Sequence, residues 1–301
     1  MTEIDFGYYP SPLAISVGNI EIRTLPNLEA TVALVNAEGV VGKWIYAPPQ
    51  EVRHFGATRE IRTMPYPSRV FGLPKTHVLR HFAAESTDHI TFLLWAESFF
   101  EGIRLTATEA GFIDATPLVP GTLVDFGMSG PNKRKALALA DAFWIANRCK
   151  PMRAKRFAAA VHSLFLSQNP LLLQFEKFIF LYTALDACFA LASSINPRPK
   201  HLSHAERVAW MCDLFSMETP VWAIKNGGQA EIAILRNNAL HEALFMGEPL
   251  GFALHGVGTG SNLTLEMHAL ICRLLVALLG APSSGYVRAA INTRQRHLLT
   301  L

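Results

Sequence analysis

The chain has 301 residues, half of them hydrophobic and 17% charged, with a net charge of +3. That composition excludes a disordered tail, a linker or a low-complexity protein, and it supports a sizeable core in one large or two ordinary domains. The 27 basic and 24 acidic residues are few for a soluble monomer of this length, so apolar surface covered by a partner, and hence an oligomer, is expected. In chain order, LEATVALVN (28–36), a turn at 37–39 and VVGKWIYA (40–47) read as a two-stranded hairpin, because β-branched and aromatic residues flank a glycine-containing turn. Proline-rich loops (APPQ, MPYPS) follow, then a strand near 77–82, an apolar helix within HITFLLWAESFFEGIRL and short segments up to residue 126. This half shows no internal repeat and no Walker or Rossmann phosphate-binding pattern, so nothing in it indicates a nucleotide enzyme.

The back half reads as helices, the first two over 133–148 and 152–168. Asn169 and Pro170 supply an N-cap and a first-turn proline for a long third helix. Its Leu171, Phe175, Phe178, Tyr182, Leu185, Phe189 and Ala192 recur at alternating spacings of four and three, which makes one buried stripe. Ser203 and Glu206 in SHAE match a capping box for a helix toward Phe215. Gly227 and Gly228 precede a helix over 229–246, and Gly280 with Pro282 stops a last helix begun near Leu263. The expected class is α+β: a β-rich domain over 1–130, with a sensing or substrate-selecting role, followed by an all-α bundle over 131–301.

Charge separates the same two halves. Residues 1–130 hold 9 basic and 14 acidic side chains, and residues 131–301 hold 18 and 10. Within 131–156 eight basic residues face Asp141 alone, and Lys133, Arg134, Lys135, Arg153, Lys155 and Arg156 are a candidate polyanion footprint. The competing reading is a solvated helix face. Cys149, Cys188, Cys212 and Cys272 form no CxxC pair, which argues against a zinc site or a disulfide framework and for a reducing compartment. The N-terminal MTEIDFGYYP carries acids where a signal peptide carries Lys or Arg, so a cytoplasmic protein is expected. The apolar run 178–195 is interrupted by Asp186 and LEMHALICRLLVALLG is split by Arg273, so both read as core helices and no membrane is expected.

The segment ILRNNALHEALF sets polar groups on an apolar helix. Arg236 shares a face with Ile232 and Leu240, and Asn237 shares one with Ala233, His241 and Leu244. Such groups cost stability unless they are paired or lie in a wet groove, so they suggest a site. Spacing alone does not, because Arg156/His162 and Arg198/His204 repeat it. Arg236 differs in being followed by a polar Asn and in coming after a long apolar helix with the lone acid Asp186.

The hexapeptide RNNALH resembles the R-N-x-x-x-H form of the R-x4-6-H motif of the HEPN superfamily, and QFEKFIFLYTALDACFAL looks like the long HEPN core helix with an acid midway. The resemblance covers the back half, best over 171–246. It implies an all-α bundle that dimerises with its motif helices facing each other, and a cleft in which many members cleave RNA without a metal, in antiphage defence, toxin–antitoxin systems or RNA processing. The motif positions are Arg236, Asn237 and His241, with Asp186 supporting Arg236. RNA, a second copy of the chain and an antitoxin or regulatory partner are the implied partners, and under this resemblance the candidate polyanion footprint becomes an RNA footprint.

The residue types fit that chemistry. Histidine exchanges protons near neutral pH, so His241 is the candidate general acid or base. Arginine's planar fork pairs two phosphoryl oxygens, so Arg236 is the candidate for the scissile phosphate and Asn237 for orienting the ring or touching the phosphate. Arg236 and His241 lie about 140° apart on a regular helix, a gap that arginine's reach or a second copy of the site would close. The alternative is a non-catalytic nucleotide- or RNA-binding or dimerisation module. His201 and His204 have a metal-like spacing that the cap at Ser203 explains without a metal, so neither metal nor cofactor is expected. The glycine-rich HGVGTGSN (255–262) lacks the GK[ST] of a phosphate loop and reads as a connector, while Arg288, Arg294 and Arg296 near the end read as RNA-touching or solvated.

Overall fold

A computed structural model describes residues 1–37, 40–53, 60–68, 70–107, 111–112, 115–197, 201–242, 263–291 and 296–301. The fold is α+β and divides into two compact units, Met1–Leu123 with Ser129–Trp144, and Val124–Met128 with Ile145–Leu301. The first unit is built on a four-stranded antiparallel sheet in the order β1-β9-β3-β2, from β1 (Thr2–Phe6), β2 (Ile15–Val17), β3 (Ile20–Thr24) and β9 (His77–His81). Flanked on both sides, β9 buries His77, Val78, Leu79 and His81, as a central strand does. The expected strand near 77–82 is this one.

The expected hairpin is half wrong. Leu28–Ala37 is a helix, α1, and the hairpin is the shorter pair β4 (Val40–Val41) and β5 (Trp44–Tyr46), which turns at Gly42 in the left-handed region. Leu28, Thr31 and Val35 are the buried residues of α1, a helical spacing that overrides the β preference of its valines. The turn expected at 37–39 lies mostly outside the described residues. Small pairings complete the unit: β6 (Pro49–Arg53) with β7 (Ile61–Pro67), β8 (Val70–Phe71) with β10 (Gly111–Phe112), and β11 (Ala115–Pro117) on β5. The apolar helix is α2 (Thr87–Glu101), capped by the Ser86 Oγ on the His89 N–H and ended by Gly102 at φ 58°. α3 (Gly130–Asn147) belongs to this unit as far as Trp144, whereas the charge pattern places all of it in the back half.

The second unit is a helical bundle with one short parallel strand pair, β12 (Phe126–Gly127) and β13 (His297–Leu298), that the all-α expectation did not include. Pro151 opens α4 (Pro151–Leu166), where its missing N–H costs nothing. α5 (Gln174–Ile195) packs against α4 and against α8 (Leu263–Leu279). It starts four residues later than Asn169 and Pro170 suggest: the Asn169 side chain accepts the Leu171 N–H in a local turn, and Glu176 reaches back to the Leu173 N–H at 2.8 Å to close the cap. Leu171 is therefore 72% exposed, while Phe178, Tyr182, Leu185, Phe189 and Ala192 form the buried stripe. Among the described residues α5 is the one helix long and apolar enough to cross a membrane, and half of its apolar window is buried within the protein.

α6 (His204–Leu214) begins at the expected capping box, with the Glu206 carboxylate accepting the Ser203 N–H at 2.8 Å. A 3-10 turn at Val221–Ala223 leads to α7 (Glu231–Leu240), which packs on α5 and α6, and α9 (Gly285–Arg288) follows α8. α7 ends at Leu240 with His241 as its C-cap, six residues short of the expected 246. Residues 243–262, with Leu244 and the glycine-rich segment, lie outside the described residues, as do Arg198 and Arg294.

Candidate functional site

α7 presents the motif at its C-terminal end. Arg236 is half-buried, Asn237 and His241 are exposed, and His241 closes the last turn by donating its N–H to the Asn237 carbonyl at 2.9 Å. The angular gap between Arg236 and His241 is bridged within one chain: Nη1 of Arg236 donates to Nε2 of His241, and also to Oδ1 of Asn237 at 3.0 Å. Arginine's reach closes it. The Arg236 Nε is buried without a partner, so the guanidinium retains unused donor capacity.

Asp186 does not serve Arg236 as expected. It accepts from Arg207 Nη1 of α6 at 2.8 Å, so the acid of the long helix ties α5 to α6. The α5 side chain that feels the charge of Arg236 is Tyr182, whose hydroxyl lies 2.5 Å from Nδ1 of His204. Burial, with Asp186 acting in the same direction, pushes the Tyr182 phenol up to about 12 against the opposing Arg207 and Arg236, so it stays protonated. Burial and the guanidinium groups of Arg207 and Arg236 hold His204 below the usual histidine range, and Asp186 only partly opposes them. Tyr182, His204 and Arg207 thus join the motif residues in one half-exposed cluster of two imidazoles, two guanidinium groups and a phenol. Sequence reasoning missed all three. Tyr182 read as core because it lies on the buried stripe, His204 as part of a capping segment, and Arg207 carried no signal at all.

The expected RNA footprint divides between the two units. In the first, Lys133 is drawn inward, 2.5 Å from the Glu101 carboxylate and 3.2 Å from the Tyr9 hydroxyl it donates to, so its charge is neutralised, while Arg134 and Lys135 are exposed. In the second, Lys155 is exposed, but Arg153 donates to Asn147 at 2.6 Å and to the Ser194 carbonyl, and Arg156 donates to the Ala190 carbonyl at 3.0 Å. These two arginines cover carbonyls of α5 and are spent on the fold. Arg296 likewise donates to the Phe126 carbonyl at 3.1 Å.

One trio in the first unit, two buried histidines and a half-buried aspartate, has the donor chemistry of a metal site. His81, His89 and Asp141 place their ligand atoms within 4.8 Å of one another. Nε2 of His81 and of His89 lie 3.1 and 2.7 Å from the same Asp141 oxygen. The tautomer decides against ligation: the Ala83 N–H donates to Nδ1 of His81 at 3.2 Å, which leaves the proton on Nε2. A ligating histidine needs the reverse, a bare nitrogen toward the metal and an N–H on the other side. The trio is a hydrogen-bonded tie between β9, α2 and α3. Burial acts to raise the Asp141 carboxyl, but the hydrogen bonds to His89 and His81 outweigh it and hold it below its ordinary value. No spacing in the sequence foreshadows this trio. No protein-family model, curated protein or solved structure matches the chain.

Proposed function

We propose that the protein is a cytoplasmic, metal-independent endoribonuclease of HEPN type, acting as a homodimer through its helical bundle in defence or toxin–antitoxin biology, with the first unit selecting the RNA or sensing a trigger. The observation that carries this reading is the direct contact of Arg236 with both Asn237 and His241 at an accessible helix end. There the guanidinium pairs the scissile phosphate and His241 moves a proton.

The test is incubation of the full chain with mixed RNA in EDTA, comparing wild type with Arg236→Ala and His241→Ala. The expected result is cleavage by wild type alone, leaving 2′,3′-cyclic phosphate ends, with all three proteins equally folded. Cleavage that stops on chelation would end the mechanism. The second reading, a non-catalytic module for nucleotide or RNA binding or for dimerisation, draws on the internal satisfaction of the motif, since Arg236 already holds Asn237 and His241. RNA left intact by wild type while RNA binding or dimerisation persists in both variants would select it.

A further inference from the structure

Metal-free cleavage of RNA needs two proton carriers, because the 2′-hydroxyl loses a proton while the leaving 5′-oxygen gains one, and arginine can do neither near neutral pH. The motif contains one, His241. We infer that His204 is the other and that Tyr182 positions it, so that each chain holds a complete acid–base pair without a residue from a second copy. The inference rests on the ribonuclease reading.

The geometry is two hydrogen-bonded pairs brought together by three helices. His204 on α6 is hydrogen-bonded to the Tyr182 hydroxyl on α5, Arg236 on α7 is hydrogen-bonded to His241, and the Arg236 guanidinium acts electrostatically on both Tyr182 and His204, so the two imidazoles stand on either side of it. Both imidazoles are accessible, His241 fully and His204 in part. Nδ1 of His204 is engaged by Tyr182, so Nε2 is the nitrogen left for substrate. His204 is also the first residue of α6, next to the Ser203 N-cap and inside the capping box that fixes this helix start, and the Glu206 of that box is held by Lys225 at 2.8 Å. The groups that face His204 are Tyr182 and Asp186 from α5, Arg207 from its own helix, and Arg236 and His241 from α7.

The environment assigns the roles. Burial and the nearby guanidinium groups keep His204 unprotonated at neutral pH, which suits it to be the base. Its Nε2 takes the proton of the 2′-hydroxyl, the 2′-oxygen bonds to phosphorus, and the bond from phosphorus to the 5′-oxygen breaks. When the phosphate replaces His241 on Arg236, the freed Nε2 first takes up a proton from water, and the leaving 5′-oxygen then takes that proton from the imidazolium. The products are a 2′,3′-cyclic phosphate and a 5′-hydroxyl. One histidine has gained a proton and the other has lost one, and exchange with water resets both.

The experiment uses the full chain as wild type, His204→Gln, His241→Ala and Tyr182→Phe on two substrates. One is a single-stranded oligoribonucleotide. The other is a ribonucleoside 3′-(4-nitrophenyl phosphate), whose leaving group needs no proton. His204→Gln is expected to lose about 10²–10⁴-fold on both, and His241→Ala a comparable factor on RNA but little on the activated ester. Tyr182→Phe is expected to move the acidic limb of the pH–rate profile, which a purely structural hydroxyl would leave in place. Melting temperatures and circular dichroism show whether each variant is folded. An active wild type with His204→Gln unimpaired, or with His204→Gln rather than His241→Ala recovering on the ester, overturns the assignment and leaves the nuclease standing. A wild type inactive on both substrates overturns the nuclease reading and the inference with it.

Discussion

Two arginines of the second unit sit on apolar helices and have opposite fates. Arg273 of α8 is 1% exposed and fully engaged: Nη1 meets Asp125 at 2.6 Å and the Ala269 carbonyl at 2.9 Å, Nε the Ala289 carbonyl at 3.0 Å, and Nη2 the Ala290 carbonyl at 3.3 Å. The Tyr286 ring lies under the guanidinium, 4.6 Å away, and its hydroxyl also donates to Asp125. Arg236 of α7 instead holds Asn237 and His241 beside it, keeps a buried Nε unused, and stands where solvent can reach. A guanidinium bonded to backbone carbonyls and an ion-pair partner is committed to the fold. One bonded to other movable side chains can exchange them for a phosphate.

Truncation separates the two. Arg273→Ala leaves Asp125 with the Tyr286 hydroxyl but no counter-charge and takes a donor from three carbonyls, and breaking a buried pair in this way costs about 3–5 kcal/mol of stability. Chemical denaturation is expected to show that loss, with RNA cleavage per folded molecule unchanged. Arg236→Ala is expected to do the opposite, lowering cleavage by about 10²–10³-fold, as loss of a transition-state donor does. Its melting temperature should stay close to that of wild type. Equal stability losses in both variants would erase the distinction and make Arg236 a second structural tie.

How much of this was legible in the sequence follows the range of the forces involved. Local signals carried through: the capping box at Ser203, the stop after α8 at Gly280, and RNNALH with its polar residues on a helix. The misreadings came where tertiary burial overrides local preference. The valine-rich 28–36 segment folds as a helix because Leu28, Thr31 and Val35 find a core, and α5 starts late because Asn169 spends its side chain on a local turn. At the site, Arg236 and His241 were visible because they share a helix. Tyr182, His204 and Arg207 were not, because only packing of α5, α6 and α7 brings them to the motif, and the partner of Asp186 was misassigned for the same reason.

Glu97 of the first unit is a buried acid whose carboxyl oxygens go unpaired. It is 1% exposed on α2. Burial, with the charge of Glu101 acting alongside, raises its carboxyl well above 4.5, and Lys133 only partly opposes this. The unfolded chain releases that proton near 4.5 while the folded one retains it, so stability falls as pH rises above that value, by about 1.4 kcal/mol per pH unit until the folded group also ionises. Glu97→Gln keeps the shape and removes the titration. Urea melts at pH 5 and pH 8 are expected to show the variant gaining on wild type at the higher pH, and parallel behaviour would mean that Glu97 ionises normally.

The smallest effect probes the poised side of the comparison. Ser203→Ala removes the side-chain half of the cap at the start of α6, at a cost of about 1 kcal/mol, while Glu206 can still accept the residue 203 backbone N–H. The energy is minor, but His204 is the next residue, and its approach to the Tyr182 hydroxyl depends on where the first turn of α6 begins. If His204 takes part in proton transfer, Ser203→Ala should lower kcat on RNA severalfold with KM little changed, because the phosphate-binding Arg236 on α7 is untouched. A kcat equal to wild type, with the expected small loss of stability, would show that the cap serves the helix alone and that the position of His204 does not limit the reaction.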